Sequence, residues 1–549
     1  MIDPQRKPRL LIIGLDGATF DLLTPMVRQG WLPTMQRVLE KSTHGVLRST
    51  VPPLTAPAWT SFQTGLTPGQ HGVFSFQRRL DSSLEREFVN STAIHGARLW
   101  HWLAQYGLST GVVNLPMTWP PQPMPAGGYL VSGMETPSID SPFTDPPELA
   151  GELRAMHYVC DLRVKLLERD FHSAAGVTSI ARDLLDVLKR REAAIFKLLA
   201  ERPTDALVVV FETPDRLQHW AWRAISELIA NDGSLARTPL HEAVEACYRD
   251  LDRIVGRLLD EAAGPETYVF FVSDHGFGPM RKRFHVDQWL AEQGWLTYES
   301  GKATVRQRLR GPLQRVKRFL PRSLVRTGRR AFAVSRIIQW EHTQAYSGRT
   351  MEHAIYINLK GRDPQGIVPP EEFDTLRRRI AEALLALRDP DDGQQVIEAA
   401  TLREDLYHGP YVGEAPDLLF SLAPGYEPTS ELSGRGVFSN ALDEGAGIHQ
   451  PEGIFLVTGI GVRPGVSMPE LHIEDVLPTI LYALGLPVST MLSGRIAKAA
   501  FDPTYLAQHP PIYTTDPGPD ATTGRSLESF SSEDALRVEE RLAALGYLS

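Results

Sequence analysis

Cysteine is nearly absent: Cys160 and Cys247 are the only two in 549 residues, too few for a disulfide framework in a chain this long and with no Cys/His cluster between them. Both are expected to be buried thiols. Long apolar runs are missing as well, since no stretch approaches the roughly 18 unbroken apolar residues that span a bilayer. The start of the chain, Met1 to Arg9, is polar, and the run Leu10 to Leu15 is too short for a signal-peptide core and leads straight into Asp16. A soluble, cytoplasmic protein is expected, without a transmembrane segment. Neither sign of charge dominates: 57 basic residues against 66 acidic ones leave a net charge of -9, which gives no general reason to expect a nucleic-acid polymer as partner.

One local absence stands out. From Lys302 to Trp340 there is no acidic residue, while Arg306, Arg308, Arg310, Arg315, Lys317, Arg318, Arg322, Arg326, Arg329, Arg330 and Arg336 alternate with Leu, Val and Phe. Pro312 and Pro321 divide this stretch into short helices. A solvated helical insertion is the expected reading, with capture of an anionic substrate or weak contact with an anionic surface as alternatives.

What remains is ordinary globular composition, 42% hydrophobic and 22% charged, in a chain long enough for one large α/β core with insertions or for two to three domains. Leu10 to Leu15 (LLIIGL), Ala206 to Phe211 (ALVVVF) and Tyr268 to Val272 (YVFFV) are apolar without alternation, the pattern of parallel strands buried on both faces. Helical patterns lie between them, notably Ala181 to Leu199 and Leu240 to Ala262, so an α/β fold with a largely parallel sheet sandwiched between helices is predicted. A last strand at Gly453 to Thr458 and a helix in Ile473 to Leu484 close the core. The expected organisation is a first core part (1–296), the basic helical insertion as a candidate lid (297–342), a second core part (343–500), and a tail (501–549) whose helix spans Ser532 to Leu545.

Chemistry gathers where apolar runs stop, the edge at which open α/β sheets place their sites. Asp16 follows LLIIGL, although an Asp there also suits a helix cap. Asp274 and His275 follow YVFFV and Ser273. Asp215 and His219 stand four apart after ALVVVF, so on a helix they share one face and can grip one ion. His449 lies in Gly447-Ile448-His449, just ahead of the late strand. In Pro52-Pro53-Leu54-Thr55-Ala56-Pro57-Ala58-Trp59, Pro57 fits a first helical turn with Thr55 just before it, where a hydroxyl faces the positive end of the helix dipole. Three carboxylates, three imidazoles and one hydroxyl suffice for two divalent ions, with zinc or manganese suited to such N and O donors. Two ions about 4 Å apart clamp the attacking and leaving oxygens of a displacement at phosphorus.

These residues carry a resemblance. Over roughly Arg9 to Arg495 the chain resembles the alkaline phosphatase superfamily, specifically its type I phosphodiesterase/nucleotide pyrophosphatase branch and the related phosphohydrolase/phosphomutases. Its carriers are LLIIGLDG, PPLTAPAWTSFQTGLTPGQHGV, the Asp215 to His219 segment, VSDHGF, GIH and IEDVLPTILYALGLPVSTMLSGR. The resemblance implies an alkaline-phosphatase-like core, Asp215, His219 and His449 on one metal, and Asp16, Asp274 and His275 on the other. It also implies that Thr55 touches the second metal and is the nucleophile, giving a phosphothreonine intermediate on a small-molecule phosphate ester. The chain departs from the pattern at Ala58, where diesterases of the branch carry an Asn that donates to the phosphoryl oxygen; losing such a donor costs on the order of 3 kcal/mol of transition-state stabilisation. It also lacks the sulfatase C/S-x-P-x-R pattern, and Ala56 stands where monoesterases carry an Arg. A phosphomutase and a non-catalytic, metal-stabilised binding protein are the alternative readings. Arg362 is expected to be a turn residue, and His285 stands outside the catalytic set.

Overall fold

Strands that are apolar on both faces need cover on both faces, and the three unalternating runs lie side by side in the middle of a ten-stranded sheet. The computed structural model describes residues 7–80, 84–162, 173–231, 234–299, 338–348, 351–432, 436–442, 445–519 and 530–544. The expected basic insertion therefore lies outside the described residues except for its two ends. The main strands are β1 (Leu10–Leu15), β2 (Thr43–Arg48), β3 (Thr110–Val113), β4 (Tyr129–Val131), β5 (Thr144–Asp145), β6 (Ala206–Phe211), β7 (Tyr268–Val272) and β8 (Glu452–Thr458). Two short additions, Val466–Ser467 and Leu471–His472, pair with β2.

Across the sheet the order is β2-β8-β7-β1-β6-β3-β4-β5. The centre is parallel, from β7 through β1, β6 and β3 to β4. β8 is antiparallel to both of its neighbours, so the late strand enters the sheet between β2 and β7 in the reverse direction.

The two-residue period of a strand divides its side chains between two cores. Leu11, Ile13, Leu207, Val209, Val269 and Phe271 pack into one cluster with helices α2 (Ala174–Glu201), α3 (Thr213–Ile229) and α4 (Pro239–Ala262). Leu10, Ile12, Val208, Val210, Phe270 and Val272 face α1 (Thr55–Thr64) and α5 (Val476–Ala483) on the other side. Each such side chain contributes about 1.5–3 kcal/mol by leaving water. Helix α2 starts earlier than the pattern predicts because Ser173 caps it, its hydroxyl accepting from Gly176 N at 3.1 Å.

A smaller antiparallel sheet, Ala345–Ser347, Ala354–Ile357, Leu418–Leu422 and Ile397–Leu402, is covered by the helix Phe373–Leu385 and has its own core around Phe284, Tyr356, Ile380 and Phe420. Arg362 clamps Asp417 there with two bonds of 2.6 and 2.7 Å, and His285 is held by Glu431 O and Ser439 Oγ at 2.9 Å each. Both therefore serve the scaffold. Helix α6 (Ser532–Ala544) folds back onto the body, burying Val538 and Leu542 in a cluster that includes Leu54, Ala56, Met134 and Met351. Cys160 and Cys247 are buried and free. Among the described residues, no helix is long and apolar enough to cross a membrane.

Candidate metal centre

Because β6, β1 and β7 run in parallel register, the residues just past their carboxyl ends are carried to one edge. Backbone bonds knit these loops together: Asp16 N donates to Phe211 O at 3.1 Å and Asp215 N to Asp16 O at 3.1 Å. Gly17 N donates to Asp274 Oδ1 at 3.3 Å. Gly17 has φ +69, and a Cβ there would lie 3.0 Å from the Phe277 ring and 3.1 Å from Asp215 Cα, so the position requires glycine on both counts. The next helix, Phe20–Arg28, is capped by Thr19, which frees Asp16 from that role.

Helix α3 places Asp215 and His219 one turn apart, with His219 Nε2 3.3 Å from Asp215 Oδ1. The third group arrives on a two-stranded antiparallel pairing that sequence pattern did not reveal. Gly276–Pro279 pairs antiparallel with Gly447–Gln450, Phe277 opposite His449, and the His275 and His449 rings stack with centroids 3.5 Å apart. His449 Nε2 then lies 3.2 Å from Asp215 Oδ1 and 3.1 Å from His219 Nε2.

Thr55 is the first residue of α1, with Leu54 as the cap, one position inside the helix relative to the sequence expectation. Leu54 is extended and its carbonyl accepts from Ala58 N, so the helical turn closes over Thr55 and puts Pro57 third in the helix. The hydroxyl lies 3.4 Å from His275 Nε2. Ala58 is fully buried in the core, so that position presents no polar group.

Two triads result. The ligand atoms of Asp215, His219 and His449 lie within 4.8 Å of one another, and so do those of Asp16, Asp274 and His275. All seven side chains, Thr55 included, are buried. His449 Nδ1 stands 2.9 Å from Pro53 O and His275 Nδ1 3.1 Å from Gly276 O. A carbonyl only accepts, so each Nδ1 carries the proton and each Nε2 turns a lone pair inward. Around the lone pair of His275 stand carboxylate oxygens of Asp274, Asp16 and Asp215, at 3.3, 3.7 and 4.0 Å. Acceptors face acceptors there, and Asp16 Oδ1 and Asp274 Oδ2 have no hydrogen-bond partner. Such a set fits a divalent cation and little else.

The protonation energetics agree. Burial, then repulsion from Asp274 and Asp215, holds the Asp16 carboxyl well above its usual range. Burial and Asp215 push Asp274 up to about 8. For Asp215 burial acts upward, but His219, His449 and Arg216 together outweigh it and hold the group well below its ordinary value. Burial, with the neighbouring imidazoles, lowers both His275 and His449 and keeps them neutral, as metal ligands must be.

Two contributors escaped sequence reasoning. The Trp59 indole donates to Asp16 Oδ2 at 3.0 Å, and Gly14 leaves room for it, since a Cβ there would lie 2.7 Å from the ring. Arg216 donates to Asp215 Oδ2 at 3.0 Å while fully buried. A Trp one turn past Thr55 was in view, but a charged residue such as Arg216 in the first turn of a helix reads as solvent-facing until the packing is known.

A family model described as type I phosphodiesterase / nucleotide pyrophosphatase matches residues 10–450. No curated protein sequence matches. The fold is similar to that of phosphonoacetate hydrolase from Sinorhizobium meliloti 1021, solved in complex with phosphonoformate and with phosphonoacetate: TM-score 0.52, 16% identity, covering 87% of this chain and 95% of that one. Murine ectonucleotide pyrophosphatase / phosphodiesterase 5 matches with a TM-score of 0.46 and 12% identity, over 88% of this chain and 95% of that one.

Proposed function

Because the chain belongs to the type I phosphodiesterase/nucleotide pyrophosphatase family of the alkaline phosphatase superfamily, a family of phosphoric ester hydrolases, we propose that it hydrolyses a small-molecule phosphate ester, a diester or monoester, through a phosphothreonine formed on Thr55. The observation that carries this reading is convergence. Six side chains from four segments, between Asp16 and His449, form two buried triads, and the Thr55 hydroxyl from a fifth segment lies 3.4 Å from His275 of one of them.

In this reading Asp215, His219 and His449 hold one divalent cation and Asp16, Asp274 and His275 hold the other, beside Thr55. Bound zinc or manganese would lower the pKa of the hydroxyl and neutralise charge on the leaving oxygen. Thr55 Oγ1 bonds to phosphorus as the bond to the leaving group breaks. Water then displaces Oγ1, restoring the hydroxyl and releasing phosphate or a phosphomonoester. The start of α1 directs its positive end at the phosphoryl group. Trp59 and Arg216 each occupy one oxygen of a ligand carboxylate, which leaves the other turned toward the imidazoles.

A side-by-side assay of a nitrophenyl phosphomonoester and a bis(nitrophenyl) phosphodiester with zinc, manganese or magnesium tests the reading. Thr55→Ala is expected to lower turnover by at least about a thousandfold while retaining two bound ions per chain. Wild-type rates in that variant would refute the covalent step.

A further inference from the structure

Residues beyond 450 lie outside the family match, yet α6 returns to the neighbourhood of the metal centre. We propose that Arg541, on this helix, is a positioning residue for the metal centre, acting on Asp215 through Asp161 and Arg216. The proposal rests on the reading above that Asp215 holds a cation.

Asp215 uses its two oxygens differently. Oδ1 faces His219 and His449 at 3.3 and 3.2 Å, whereas Oδ2 accepts from Arg216 Nη1 at 3.0 Å. The rotation of the carboxylate, and hence the direction in which Oδ1 points, therefore follows the guanidinium. Arg216 is placed in turn by Asp161, whose Oδ2 lies 3.3 Å from its Nη2. Asp161 Oδ1 accepts from Leu162 N at 2.7 Å, so that carboxylate is oriented too.

The last link comes from the tail. Arg541 Nη1 lies 3.8 Å from Asp161 Oδ2, the same oxygen that Arg216 approaches. Its terminal nitrogens also donate to three carbonyls on the loop after β4, Met134 O at 2.6 Å, Thr136 O at 2.9 Å and Pro137 O at 3.0 Å. Met134 itself touches Arg216, Sδ to Nη2 at 3.9 Å. Asp215, Arg216, Asp161 and Arg541 are all at most 8% exposed, so their charges act on one another with little screening by water. The spacing explains the docking: Val538, Arg541 and Leu542 fall on one face of α6, two apolar anchors with the guanidinium beside them. Phe530, just ahead of the helix, stacks on Trp119 at 4.5 Å and pins the same segment independently.

A plain structural clamp would also use such contacts, so the test separates stability from metal affinity. The full-length wild type, Arg541→Ala, Arg541→Lys and Phe530→Ala are loaded with zinc, and the affinity of each ion is read by chelator competition beside a thermal melt. Arg541→Ala is expected to weaken one of the two ions by about 10–100-fold and spare the other, and Arg541→Lys to recover part of that loss by restoring the charge. Phe530→Ala, which loosens the tail without touching Arg541, is expected to lower only the melting temperature. Equal zinc affinities in wild type and Arg541→Ala, or the same weakening in Phe530→Ala, would overturn the proposal and leave the functional reading standing. A wild type that binds no zinc would sink both.

Discussion

Burial and close charges act together on the side chains at the sheet edge. Asp16 is pushed up by burial and by repulsion from Asp274 and Asp215, and Asp274 by burial and Asp215, while the two histidines that bond to backbone carbonyls are pushed down. The same physics acts on Glu135, next to the Arg541 loop. Its Oε2 accepts from Met117 N at 2.8 Å, its Oε1 has no hydrogen-bond partner, and burial pushes its carboxyl from 4.5 up to about 7. Between pH 4.5 and 7 the folded protein thus holds a proton on Glu135 that the unfolded chain has lost. Its stabilising contribution is present below pH 4.5 and is lost as pH rises through 7. Glu135→Gln keeps the acceptor and removes the titration, so the variant is expected to gain on the wild type by up to about 3 kcal/mol between pH 4 and pH 8. Unfolding midpoints of the two proteins across that range check this, and a difference that is flat with pH would contradict it. Asp16, Asp274, His275, Asp215 and His219 were legible as candidates because they follow apolar runs or share a helical face, and His449 because it lies just ahead of the late strand. Trp59 and Arg216 were not, because their roles exist only in contact.

Strands β1, β6 and β7 were readable from composition, since a run buried on both faces has no alternation to disguise it. Helices α2 and α4 were readable from their period, with their starts shifted outward by the caps Ser173 and Thr238. The antiparallel pairing of Gly276–Pro279 with Gly447–Gln450 was not readable: GFGP has neither β-branched residues nor alternation, and its partner lies far along the chain. That pairing nevertheless stacks His449 on His275. Gly276 is its tightest point, since a Cβ there would lie 2.1 Å from Glu452 O, a backbone atom that cannot yield cheaply. Gly276→Ala is expected to cost at least about 1–3 kcal/mol and to weaken metal binding as the paired strands shift. Wild-type metal affinity and melting temperature in that variant would contradict the account.

The centre joins loops after β1, β6 and β7 to α3 and to the short strand Gly447–Gln450 just ahead of β8, so opening the sheet anywhere between β6 and β8 dismantles it. A cation that binds only the folded arrangement then stabilises the entire core by mass action, about 2.7 kcal/mol for each site at a hundred times its dissociation constant. Melting temperature is accordingly expected to rise with added zinc or manganese and to fall with chelation. A melt insensitive to both would speak against the two-ion reading. The antiparallel entry of β8 between β2 and β7 belongs to this level as well, because direction within a sheet is set by the path of the connections.

The sequence by itself determined an α/β fold with metal-ligand candidates gathered at strand ends, because buried strand composition and donors beside it are local properties written in consecutive residues, and its motifs carry the family that makes it a phosphoric ester hydrolase. Only the tertiary structure decided which oxygen of Asp215 faces the histidines, where Thr55 sits in its helix, and that a helix from the end of the chain reaches Asp161. Those depend on distances between residues up to several hundred positions apart, and such distances come into being only when the two faces of the sheet are packed.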